Sequence, residues 1–209
     1  VYLPDKVVPM LPEIISNHLA SLQPHRARLA KTVVMEMTTE GTMIHTEVFN
    51  SIIRNGHRFN YEQVDQFLAD QEPWRERLAP EIFELLSNMH TLAMTLRQRR
   101  LRAGSIELTL PEVKIDLDKL GKVKGAHLVH HTESHQIIEE FMLAANQAVA
   151  TFLDDREIPF LRRAHAPPQR LKLKRLTEFI QNLGIEAGDL QDRYEIQRVV
   201  QAVKDTPLE

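Results

Sequence analysis

Residues 132–155 read TESHQIIEEFMLAANQAVATFLDD, and this stretch decides half of the fold. Ile137, Ile138, Phe141, Met142, Ala145, Val149 and Phe152 recur at helical spacing and give it one apolar face. Thr132 stands where an N-cap belongs, so a helix is expected from Glu133 to about Asp155. Residues 28–54, RLAKTVVMEMTTEGTMIHTEVFNSIIR, decide the other half. Here Ala30, Thr32, Val34, Glu36 and Thr38 alternate with Leu29, Lys31, Val33, Met35 and Met37, the period of a strand. Glu40-Gly41 makes a hairpin turn, and Ile44, Thr46, Val48 and Phe49 lie on the returning strand. Two strands joined by so short a turn run antiparallel.

Working outward, Asn60 caps a short helix over residues 61–70, and residues 78–102 form a long amphipathic helix ended by Gly104. Alternation predicts three more strands: one through Ile106, Leu108 and Leu110, one through Val113, Ile115 and Leu117, and one over residues 123–129. Two further helices are expected at 171–183 and 189–203, after a loop at 159–168. The Pro-rich first 24 residues allow only a short helix from Pro12 to Leu19. The expected class is α+β: a mixed or mostly antiparallel sheet from about residues 28–54 and 105–129, packed with long amphipathic helices.

The 209 residues suit one domain, and 43% hydrophobic with 26% charged residues is a globular mix. With no cysteine, disulfides, thiolate nucleophiles and Cys-ligated metals are excluded. Apolar runs are short and broken by charge, so no helix is expected to span a membrane. A net charge of −3 does not indicate a binder of polyanions over the whole surface, but leaves local basic patches open. The chain opens on Val1 with no signal-peptide pattern, and we expect it to be a piece of a longer protein.

Several chemistries compete for the polar residues. His131, His135 and Glu139 fall at i, i+4, i+8, which would serve a metallohydrolase if all three were helical, but His131 precedes the Thr132 cap. Asp116 with Asp118, and Asp154 with Asp155, are the tight carboxylate groups, and each reads as a solvated end of an element. No Gly-x-Ser-x-Gly elbow and no Gly-rich phosphate loop occurs. Residues 162–175 hold Arg162, Arg163, Arg170, Lys172, Lys174 and Arg175 without an acid, and Arg97, Arg99, Arg100 and Arg102 form a second basic group. Such clusters are either solvated helix faces or phosphate contacts. Tyr2 and Tyr61 can act as stacking platforms for bases, or as half-buried packing residues.

Specific strings separate these readings. Tyr2-Leu3-Pro4 with Pro9-Met10-Leu11-Pro12, the junction from Arg54 to Tyr61, the SHQIIEEFMLAAN of residues 134–146, and Arg162-Arg163-Ala164-His165 before Pro167-Pro168 occur in order along nearly the whole chain. Together they resemble the ribonuclease II/ribonuclease R (RNB) family. The resemblance implies the central part of an RNB catalytic domain over residues 1–209. It implies a parent that digests single-stranded RNA processively from the 3′ end to nucleoside 5′-monophosphates with Mg²⁺. It also implies a cytoplasmic, monomeric parent flanked by OB-type RNA-binding domains. By the same resemblance, Tyr2 packs on a nucleotide near the 3′ end, and Tyr61 and Glu139 contact the terminal nucleotides and help to select ribose. Leu108 stands where many members stack a phenylalanine on the terminal base, a departure that weakens that clamp. Arg162, Arg163 and Lys172 are the expected phosphate contacts. The family's aspartate cluster would lie upstream of Tyr2 and its transition-state arginine downstream of this stretch, so no catalytic or metal-binding residue is expected here and the piece alone should be inactive. The alternatives are a catalytically silent RNB-like RNA-binding module and the unrelated metallohydrolase.

Overall fold

The structure is a computed structural model that describes Leu3, residues 6–108, 112–129 and 131–204, and Thr206. Its elements run β1 (Ala27–Met37), β2 (Met43–Arg54), α1 (Tyr61–Ala69), α2 (Glu72–Arg75), α3 (Pro80–Arg102), β3 (Glu112–Leu117), β4 (Val123–Val129), α4 (Glu133–Asp154), α5 (Arg170–Asn182) and α6 (Arg193–Val203). The class is α+β, as expected. The strands, however, form two separate antiparallel pairs, β1–β2 and β3–β4, rather than one sheet. Residues 105–108 carry no strand, and Leu110 lies outside the described residues. The segment expected to be a short helix after Pro12 is a wide π-type turn, Ile14–Leu19.

Both hairpins are closed by the same device. At the β1–β2 turn the Thr38 hydroxyl accepts from the backbone N–H groups of Glu40 and Thr42, and Gly41 takes φ +74°. At the β3–β4 turn Asp118 Oδ1 accepts from Leu120 N–H at 2.8 Å and Lys122 N–H at 2.9 Å, and Gly121 takes φ +75°. A side-chain oxygen at the turn's first position collects the inward N–H groups, and glycine supplies the left-handed residue.

The described residues gather into two compact units. The first comprises residues 1–94 and 111–158. In it α4 packs on α1 and on both strands of the β1–β2 hairpin. Phe67 of α1 is fully buried with Leu78 and Leu86, and the Phe67 ring meets Trp74 and Phe83 edge-on. α1 starts at Asn60 because of a capping box. The Asn60 side chain accepts from Gln63 N–H at 2.8 Å, and Gln63 Oε1 accepts from Asn60 N–H at 3.0 Å.

The second unit comprises residues 95–110 and 159–209. Its core is Ile180, Leu190 and Val199, where α5 and α6 meet. Gln197 Nε2 donates to the Leu101 carbonyl at 2.9 Å and the Ser105 carbonyl at 2.6 Å, tying α6 to the end of α3. The Arg198 guanidinium and the Gly188 N–H hold the Glu195 carboxyl down at about 2. Gly104 ends α3 at φ +88°, and a Cβ there would lie 2.6 Å from Cδ and Nε of Arg193. Gly104→Ala is therefore expected to cost about 1–2 kcal/mol, mainly from the left-handed backbone. Gly56→Ala, which meets nothing within 4 Å, should stay within about 0.5 kcal/mol of the parent in the same urea titration.

Candidate functional site

The capping box that starts α1 also presents Tyr61 at the helix's first position, 43% exposed. Four residues on, and so on the same face of α1, stands Asp65. These two side chains grip the start of α4. The Tyr61 ring stacks on the imidazole of His135, with centroids 3.8 Å apart and planes 16° from parallel. Asp65 Oδ2 accepts from the Thr132 hydroxyl at 2.8 Å, and Oδ1 faces the Ser134 N–H at 3.4 Å.

A carboxylate only accepts, so the single hydroxyl proton of Thr132 goes to Asp65. The Thr132 oxygen also lies 2.9 Å from Nδ1 of His135 and 3.0 Å from Oγ of Ser134. The Thr132 backbone N–H donates to the same ring nitrogen at 3.4 Å, one arm of the capping box that starts α4.

Tyr61 also lines a cavity of about 1080 Å³. The loop from Asn55 to Asn60 forms one wall, Leu85 and Met89 of α3 another, and Ser134 and Ile138 of α4 a third. Glu139 is exposed, one helical turn beyond His135 on the same face of α4. The structure thus brings Tyr61 and the face bearing Glu139 together, on two helices. Tyr61 and Glu139 stand on helices rather than on a strand. Tyr2 lies outside the described residues.

The other expected contacts belong to the second unit. Leu108 is 66% exposed in an irregular segment. Arg162, Arg163 and Lys172 are exposed, with the Arg162 guanidinium 4.5 Å from the centre of the Phe160 ring. The second basic group is partly neutralised, since Arg97 donates twice to Glu107 Oε1, at 2.7 and 3.0 Å.

Among the described residues, Asp116 and Asp118, the carboxylates that alternation places on one strand face, are engaged elsewhere. Asp118 closes a turn, and Asp116 lies 3.0 Å from Nδ1 of His127. Among the described residues no group of three or more His, Asp or Glu side chains is arranged to hold a metal ion. The His131, His135 and Glu139 row fails for stated reasons. His131 precedes the helix, and His135 has one ring nitrogen on Thr132 and its face on Tyr61. Asp65, Thr132 and His135 are the residues that the sequence reading did not join to Tyr61. The signal was present as a tyrosine and an aspartate four apart on one helix, and a capped histidine on another.

A family model described as the RNB domain matches residues 1–208. Ribonuclease R of Thermotoga maritima is 34% identical over 212 residues, covering 100% of this chain and 29% of that protein. Ribonuclease R of Aquifex aeolicus is 34% identical over 183 residues, covering 88% of this chain and 26% of that protein. The solved structure of Mycoplasma genitalium RNase R in complex with ribose methylated single-stranded RNA matches with a TM-score of 0.87 at 27% identity, over 97% of this chain and 32% of that one. The chain spans 26% to 29% of the two relatives' own lengths. On the family model, which covers both compact units, the chain belongs to the RNB-domain family of ribonuclease R.

Proposed function

We propose that residues 1–209 form part of a single RNB catalytic domain and hold the 3′ end of single-stranded RNA for hydrolysis by a longer protein. That protein would be a Mg²⁺-dependent 3′→5′ exoribonuclease, cytoplasmic and monomeric with OB-type RNA-binding domains, releasing nucleoside 5′-monophosphates. One observation carries the reading: Tyr61 is half-exposed in the lining of a cavity of about 1080 Å³, its ring braced on α4 one turn from Glu139. An aromatic face accepts any base, and a carboxylate accepts from the 2′-hydroxyl that DNA lacks. Tyr2 and Leu108 would contact the same strand, and Arg162, Arg163 and Lys172 would meet its phosphates.

Asp116 and Asp118 are engaged within their hairpin, which supports a structural rather than a hydrolytic role for that pair. Residues 1–209 alone are then expected to bind RNA without cutting it. The test is a fluorescence-anisotropy titration with a single-stranded RNA and a DNA of the same sequence. RNA should bind at least about tenfold more tightly, and Glu139→Ala should bring the RNA affinity near that of DNA. Equal affinity for both strands in the parent protein would overturn the reading.

A further inference from the structure

We propose that His135 is a positioning residue that fixes the plane of the Tyr61 ring for the terminal nucleotide, and so contributes to the choice of RNA over DNA. This rests on the reading that Tyr61 meets that nucleotide. An exposed tyrosine in the first turn of a helix has rotamer freedom, and a base would have to order it on binding. Here the ring already lies against an imidazole, 3.8 Å between centroids. The imidazole is itself held, because Nδ1 meets both the hydroxyl and the backbone N–H of Thr132, and the Thr132 hydroxyl donates to Asp65. Asp65 returns to α1 one turn from Tyr61, so the set closes on itself: Tyr61, His135, Thr132, Asp65. Glu139 follows His135 by one turn of α4, so the histidine that orients the ring also sets it relative to the carboxylate.

The two contacts of His135 can be separated. His135→Asn removes the ring and keeps a side chain able to hydrogen-bond Thr132. His135→Phe keeps a stacking ring and removes the nitrogen that meets Thr132. Both are compared with Tyr61→Leu and with the Tyr61→Leu/His135→Asn double variant, in titrations with the paired RNA and DNA strands. Each variant is first required to melt cooperatively by circular dichroism, and His135→Gln replaces His135→Asn if the latter does not. Tyr61→Leu is expected to weaken RNA binding about tenfold. His135→Asn should weaken it about fivefold and lower the RNA-to-DNA affinity ratio, while His135→Phe, which keeps the ring but loses its hold on Thr132, should fall between His135→Asn and the unsubstituted protein. The double variant should be no weaker than Tyr61→Leu alone.

A purely structural role would lower affinity for both strands together and leave their ratio unchanged. The inference is overturned if Tyr61→Leu weakens binding while His135→Asn does not, or if the two losses multiply in the double variant. If Tyr61→Leu binds RNA like the parent, the reading of Tyr61 as an RNA contact fails first, and that result is distinct from the other two.

Discussion

Phe67→Ala is expected to lower the unfolding free energy by about 3–5 kcal/mol, the largest effect of any single substitution considered. Phe67 is 0% exposed and is the largest fully buried side chain among the described residues. Its ring sits edge-on to Trp74 at 6.2 Å and to Phe83 at 5.2 Å, so truncation opens a cavity that three elements line. Native domains are stable by only about 5–15 kcal/mol, so this loss is a large share. The consequence reaches the site, because Phe67 anchors the helix whose first residue is Tyr61. A matched change on the hairpin surface, Leu29→Ala at 84% exposure, should fall within about 0.5 kcal/mol. Urea unfolding of both variants checks the contrast, and similar midpoints would refute the assignment of the core.

The second large effect is electrostatic. Replacing Arg162, Arg163 and Lys172 together by Gln is expected to flatten the salt dependence of RNA binding by about 2 in the slope of log affinity against log salt. Each cation that neutralises a phosphate on a single strand contributes about 0.7 to that slope. The placement of Lys172 does not favour folding. Arg170 and Lys172 lie at the N-terminal end of α5, whose first turn holds no acid, so they oppose the helix dipole. Arg198 is the control, because it already pairs with Glu195 at 2.7 Å. Arg198→Gln should leave the slope unchanged, and an equal change from both substitutions would argue against a phosphate path.

The parts of the fold legible in the sequence are those set by local rules. Alternation over residues 28–54, Glu40-Gly41 at the turn, and Asn60 as a cap locate β1, β2 and α1 to within about two residues. The strand expected through Ile106 and Leu108 illustrates what local rules miss. A strand needs a neighbour, and this segment is held by contacts to helices instead. The Ser105 carbonyl accepts from Gln197 Nε2 of α6, and the Glu107 side chain accepts from Arg97 of α3. Alternation likewise did not reveal that β3–β4 stands apart from β1–β2, since pairing between hairpins is a tertiary property. At the site, Tyr61 and Glu139 were identified through a family resemblance. The stack of Tyr61 on His135 joins residues 74 positions apart and follows from the packing of α1 on α4.

The central claim is that these residues hold RNA without cutting it. Its most direct test is a 5′-labelled single-stranded RNA incubated with the protein and Mg²⁺, with binding measured on the same RNA. The account predicts saturable binding and a full-length label after incubation. A ladder shortening from the 3′ end would show a hydrolytic centre within these residues and would contradict it.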